Sequence, residues 1–169
     1  MDNIEWFCKQ TSVKSQQYAI GSGGLPDVDW RDKCGAYAAL KSDHLKRMAD
    51  MIASPDDNAY QTAVELKLQR FALDQMAADG VELRCVTEQS IEQLALKMAR
   101  LVRWLYQYDP EDKYFRRAGK LRFAGIVMHE STYKTTWLKY EQRMAQNLTD
   151  WTAEIDAAVG KYRGDTRAA

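Results

Sequence analysis

Residues Ser131 to Val159 read STYKTTWLKYEQRMAQNLTDWTAEIDAAV. The large apolar side chains fall at Tyr133, Trp137, Tyr140, Met144, Leu148, Trp151 and Ile155, with Ala158 closing the series. Steps of three and four place them on one face of an α-helix. The register holds for about seven turns, longer than a small domain needs. The far half of this helix is therefore expected either to project or to pair with a second copy of the chain. Lys161 to Ala169 reads as a frayed tail.

The same spacing recurs upstream. Ile91, Leu94, Ala95, Met98, Leu101, Val102 and Leu105 form one buried face, and Thr87 reads as the N-cap of that helix. Tyr60, Val64, Leu68, Phe71, Ala72 and Met76 form another face, in a helix started by Asp56 or Asp57 and ended by Asp79-Gly80. Leu66 and Leu73 add a second apolar side to it, which predicts a central position. Cys34, Tyr37, Ala38, Leu45, Met48 and Ile52 predict one helix that starts at Trp30, is capped by Asp29 and stops at Ser54-Pro55. Residues 2–12, with Ile4, Trp6 and Phe7, predict a short amphipathic helix. Between the first two helices, Gly21-Ser22-Gly23-Gly24-Leu25-Pro26 reads as a loop, because a phosphate cradle would need Lys-Ser/Thr after the glycines. Val81–Val86 alternates only briefly, as a short strand or an extended linker. The expectation is an all-α fold, a compact helical domain of about five helices. A helical core over 1–108 precedes a basic, helix-turn-helix-like region with the long helix over 109–160, and 161–169 forms a flexible tail.

With 169 residues, 46% of them hydrophobic, the chain can bury one core, and disorder throughout is not expected. Basic and acidic residues balance at 24 each, so total charge names no partner. Their distribution is informative. Lys113, Arg116, Arg117, Lys120, Arg122, Lys134 and Lys139 face a single acid, Glu130, between residues 113 and 139. Segregated charge of this kind suits nucleic-acid contact or a basic protein-docking surface, and a solvated positive face is the plainest reading.

From Asp109 onward the chain offers a helix, a turn at Gly125 and a second helix from Ser131. Asp109-Pro110-Glu111-Asp112 combines a cap, a proline at the first helical position and two acids at the positive end of the dipole. In a helix-turn-helix unit a small residue lets the second helix pack close, and the exposed start of that helix reaches base edges. Ala118 or Ala124 fits the small position, with Ile126 and Met128 facing inward. Ser131, Thr132, Lys134 and Thr135 would lie at the groove-facing start, and Tyr133 and Trp137 would lock the helix to the core. Arg116, Arg117, Lys120 and Arg122 would draw phosphates. Gly119 leaves a second arrangement open: the helix could end at Ala118, with Leu121–Met128 forming a small hairpin around Ala124-Gly125.

No enzyme chemistry is expected. His44 shares a helical face with Tyr37, Leu40 and Met51 and reads as a core-edge histidine. His129-Glu130 starts like a zinc-binding helix, but position 133 is Tyr where a second His belongs. The three cysteines, Cys8, Cys34 and Cys85, have neither metal-ligand spacing nor a disulfide pattern, which fits a reducing cytoplasm. No leader-like start and no apolar stretch of about 18 residues is found, so neither a membrane partner nor a cofactor is expected. The five tryptophans, Trp6, Trp30, Trp104, Trp137 and Trp151, read mostly as packing residues.

The stretch Arg117–Trp151, around STYKTTWLKYEQRMAQNL, resembles the C-terminal portion of small proteins encoded by lambdoid phages and prophages, including the Q-type late-gene antiterminators. The likeness lies in the C-terminal third of the chain. It implies a helical protein that binds DNA near a late promoter and engages paused RNA polymerase. Several such proteins carry a four-cysteine zinc site, which three scattered cysteines cannot form. The resemblance carries over only the groove-facing role of Ser131, Thr132, Lys134 and Thr135. It leaves two expectations: a DNA-binding transcription regulator acting with RNA polymerase, or a phage-type factor that redirects another host protein without touching DNA.

Overall fold

Among the residues described by the computed structural model (2–11, 30–81, 89–108 and 116–168) every element is helical and none is a strand. The chain is all-α and ends in a long helix. The Gly21–Pro26 loop, the Asp29 and Thr87 caps, all but the first residue of Val81–Val86, and the helix start at Asp109-Pro110 lie outside the described residues, as does Cys85.

The helices begin and end at residues whose chemistry accounts for it. After α1 (Asn3–Thr11) and α2 (Trp30–Ala39) the chain breaks at Leu40–Ser42 and restarts as α3 (Asp43–Ala53). The single helix expected from Trp30 to Ile52 is thus two. Ser42 is extended, at φ −112° and ψ 149°, and Asp43 sits at the favourable positive end of the new helix. The break lets the Tyr37 hydroxyl donate to Asp50 Oδ2 at 3.1 Å. In one continuous helix those residues would lie about 20 Å apart. Asp57 caps α4 (Asn58–Ala78), its Oδ1 accepting the Ala59 N–H at 2.8 Å. Gly80, at φ +70°, closes α4: the Val81 N–H reaches the Met76 carbonyl and the Gly80 N–H that of Ala77. A reciprocal capping box starts α5 (Ile91–Tyr108). Ser90 Oγ accepts the Gln93 N–H at 3.2 Å, and Gln93 Oε1 accepts the Ser90 N–H at 3.4 Å.

The remaining elements are α6 (Arg117–Phe123), α7 (Glu130–Thr132), a π-helical turn (Tyr133–Trp137) and α8 (Leu138–Ala168). The described residues group into two units, one within Met1–Tyr60 and Trp151–Ala169, the other within Gln61–Asp150.

In the first unit Trp6, Phe7, Ala36, Leu40, Met48, Met51, Trp151, Ile155 and Val159 are buried. His44 lies against Trp151, with ring centroids 5.0 Å apart, as a core-edge residue. The stripe on the far half of α8 is thereby covered within the chain, where the sequence suggested projection or pairing with a second copy. Val159, one residue beyond Ala158, completes it. The helix also continues through 161–168, where a tail was expected. Arg163 donates to Asn3 Oδ1 at 2.6 Å and lies over the Trp6 ring, and Tyr162 packs onto the Gly35 backbone.

In the second unit, Val64, Leu68, Ala72 and Met76 of α4 are buried, as are the expected face of α5 through Val102 and the stripe Tyr133, Trp137, Tyr140, Met144 and Leu148. Of the expected second apolar side of α4, Leu66 is half exposed and Leu73 is half-buried. Its Glu65 is buried and holds Arg103 (Nη2 to Oε1, 2.9 Å) and Arg100 (Nε to Oε2, 3.2 Å). At the other end of α4, Asp79 collects Lys139 at 2.7 Å, Arg143 at 3.1 Å and the Tyr140 hydroxyl at 3.1 Å. The hydrogen bond from Lys139, first, and those charges hold the Asp79 carboxyl below its usual range. No helix among the described residues is long and apolar enough to cross a membrane.

Candidate nucleic-acid interface

Gly119 lies inside α6, and the chain turns at Ala124-Gly125. Gly125, at φ +67°, lets the Ile126 N–H reach the Leu121 carbonyl at 2.8 Å and the Gly125 N–H that of Arg122 at 3.0 Å. Leu121 and Ile126, the apolar pair that accompanies this cap, are both buried. A helix, a glycine turn and a second helix start therefore follow in order, and the hairpin alternative for Leu121–Met128 does not form. Neither nominated alanine supplies a buried close-packing position. Ala118 is exposed and Ala124 is half-buried, while Ile126 is buried and Met128 half-buried.

The four basic residues of this segment differ in their surroundings. Arg116 and Arg122 are exposed and Lys120 is half-buried, and none of them forms an ion pair with a described residue. Arg117 is tethered: its Nη1 lies 3.7 Å from Glu141 Oε2, the carboxylate that also accepts the Tyr133 hydroxyl. This places Arg117 beside the core and removes it from the free set.

The second helix starts at a histidine cap. His129 Nδ1 accepts the Ser131 N–H at 3.3 Å and lies 2.7 Å from Ser131 Oγ. The His129-Glu130 pair therefore serves the helix terminus. Among the described residues no three His, Cys, Asp or Glu side chains are placed to hold a metal. Ser131, Thr132, Lys134 and Thr135 are all exposed, while Tyr133 and Trp137 are buried. Lys134 pairs with Glu130 at 2.9 Å, and that hydrogen bond holds the Glu130 carboxyl below its ordinary value. An exposed pair of this spacing contributes only about 0.3–0.5 kcal/mol, so Lys134 can exchange it for a phosphate at little cost.

The π turn was not legible beforehand. Thr135 Oγ1 donates back to the carbonyls of Ser131 at 3.1 Å and Thr132 at 3.3 Å, competing with the backbone ladder. The ladder shifts so that the Leu138 N–H bonds to the Tyr133 carbonyl. Single π turns of this kind recur at functional sites.

Sequence reasoning also missed an aromatic surface in the same unit. Phe123 is 55% exposed, Tyr108 is 55% exposed and Val127 is 62% exposed. The Trp104 ring lies close to two of them, 4.6 Å from Phe123 and 5.7 Å from Tyr108 between centroids. The available signal was Phe123 itself. Two residues beyond buried Leu121 on a helix, it points roughly 200° away from the core.

No protein-family model, curated protein or solved structure matches this chain.

Proposed function

We propose that this protein binds nucleic acid through α6 and the exposed start of the following helix, and that it acts as a phage-type DNA-binding regulator of transcription in a bacterial cytoplasm, an antiterminator working with RNA polymerase. The observation that carries the reading is the set of cations at Arg116, Lys120 and Arg122, unpaired among the described residues and followed across a glycine turn by exposed Ser131, Thr132, Lys134 and Thr135. Cations on α6 and at its N-cap that pair with no described residue are available to phosphate. The polymerase step and the phage setting rest on the resemblance around Ser131–Leu148.

Each phosphate neutralised on a duplex contributes a slope of about −0.9 in log K against log salt, so four cations, with Lys134, give about −3 to −4. Fluorescence anisotropy with labelled duplex DNA over a salt series measures it. Arg116→Glu with Arg122→Glu is expected to abolish binding at moderate salt, and Lys134→Ala to alter site preference. Absent or salt-insensitive binding overturns the proposal. Exposed Phe123 and Val127 favour a second reading, a protein-docking surface. A protein partner recovered from host lysate after nuclease treatment, with no DNA binding by the pure chain, selects that one.

A further inference from the structure

We infer that the first unit carries a binding site for a small zwitterion, a free amino acid or a dipeptide, in the cavity between the α2–α3 break and α8. The cavity has a volume of about 680 Å³. Small-molecule sites occupy roughly 300–1,000 Å³. Its origin is local. The chain breaks at Leu40–Ser42 to pass from α2 to α3, and α8 lines the same space with Ala157 and Ala158, whose methyl groups leave it open. Leu45 adds apolar surface. All of the lining belongs to the first unit, so the site shares no residue with the α6 cations and does not rest on the nucleic-acid reading.

The charges around the cavity set the class of ligand. Lys41 and Lys161 are balanced by Glu154 and Asp165, and none of these four side chains forms an ion pair or hydrogen bond with a described residue. A ligand with a single charge would meet as much repulsion here as attraction, whereas a zwitterion can pair at both ends. On α8, Glu154, Ala158, Lys161 and Asp165 follow at i, i+4, i+7 and i+11, on one face of the helix. Lys161 thus stands about 6 Å along the axis from Asp165 and about 10 Å from Glu154. A dipeptide extends to about 7 Å. The ligand carboxylate has a further donor at the start of α3. Ser42 stands at the N-cap, yet its Oγ makes no capping bond and lies 3.2 Å from His44 Nε2. Ser42, His44 and Leu45 all line the cavity, which brings the positive end of α3 to its wall. The acid at that end, Asp43, is tied to Arg47 at 3.4 Å. Two ring-bearing walls are fixed beforehand: His44 rests on the buried Trp151, and Tyr162 packs onto the Gly35 backbone. Walls already in place lose little conformational freedom when a ligand docks.

Ligand-observed NMR and calorimetry on the full chain provide the test. The probes are a mixture of the standard amino acids, a mixture of apolar dipeptides, and the N-acetyl and C-amide forms of whichever compound binds. At least one zwitterion is expected to bind, and the two mixtures tell a free amino acid from a dipeptide. Blocking either end is expected to weaken binding by roughly 2- to 5-fold, as for an ionic contact open to solvent. Lys41→Glu with Lys161→Glu, both at exposed positions, is expected to weaken the zwitterion and to favour its C-amide. Loss of a merely structural contact would not produce that reversal. Ala158→Leu is expected to fill the cavity and abolish binding, and if it fails to fold, the charge reversal reads out the same site. No binding by either mixture up to about 10 mM overturns the inference, as does binding indifferent to both end-blocking and charge reversal. Binding that needs only one of the two ligand charges also overturns it, and assigns the cavity to a simple anion or cation.

Discussion

Replacing Tyr133 by Phe removes one oxygen and leaves the packing in place. The Tyr133 ring has no exposed surface, so the loss is confined to the hydroxyl that donates to Glu141 Oε2. The Glu141 side chain is only 14% exposed, and its remaining cation, Arg117, lies 3.7 Å away and is itself 28% exposed. A hydrogen bond to a charged group contributes about 1.5–3 kcal/mol, and leaving this carboxylate short of a donor sets the expected loss near 2 kcal/mol. Tyr133→Ala adds a cavity and is expected to cost about 3–5 kcal/mol, while Arg117→Ala costs less than about 1 kcal/mol. The same contact governs the alkaline limb of stability. Burial first, then the Glu141 charge and its acceptance of the hydroxyl proton, push Tyr133 far above the usual phenol range. A group whose pKa is raised on folding contributes fully below its unfolded value of about 10, and that contribution falls by up to about 1.4 kcal/mol per pH unit above it. Tyr37, pushed up to about 12 by burial and by Asp50, has the same sign over the window from about 10 to 12, weakened by solvent exposure. Tyr133→Phe should therefore begin less stable at neutral pH and lose less on the way up. Urea midpoints at neutral pH and at about pH 10.5, with the slope m unchanged, measure both effects. A variant within about 0.3 kcal/mol of the parent at neutral pH, or one with an unaltered alkaline limb, would refute the reasoning.

The Glu65–Arg103 pair is nearly enclosed, with side chains 7% and 12% exposed, so Glu65→Met or Arg103→Met alone strands a charge and should cost about 3–5 kcal/mol. The double replacement should cost well under the sum of the two, and additive losses in denaturant titrations would show that the pair is not coupled. Arg100, 57% exposed on the same carboxylate, should cost under about 1 kcal/mol when removed. Gly35→Ala would drive a Cβ into the Tyr162 ring and hydroxyl, with an expected loss of about 1–3 kcal/mol. Gly164→Ala, with nothing within 4 Å of the added carbon, should gain up to about 1 kcal/mol of helix propensity. Thermal melts that rank the two glycine variants the other way round would contradict the packing of α8 described above.

What the sequence made readable and what it concealed divide along the reach of the forces involved. The stripe from Tyr133 to Ile155, through the π turn and α8, was legible because one helix face is written in steps of three and four, and every member proved buried. The break before α3 was not, because Leu40 and Leu45 fit a continuous stripe well enough, and the Tyr37–Asp50 bond that needs the break is a tertiary contact. The α6 cap stands between these cases. Gly125 flanked by Leu121 and Ile126 is a local pattern, and an apolar pair spanning a glycine in this register decides for the turn over the hairpin that Gly119 left open. In the candidate site the total charge was readable by counting, but the availability of each cation was not. Arg117 is chemically identical to its neighbour Arg116, and only a carboxylate 24 positions along the chain separates a structural arginine from a free one. Recognition by this surface thus depends on which side chains the fold leaves unused. Charge reversal at Arg117 should therefore loosen the Tyr133–Glu141 contact as well as the attraction for phosphate, whereas reversal at Arg122 should change the attraction alone.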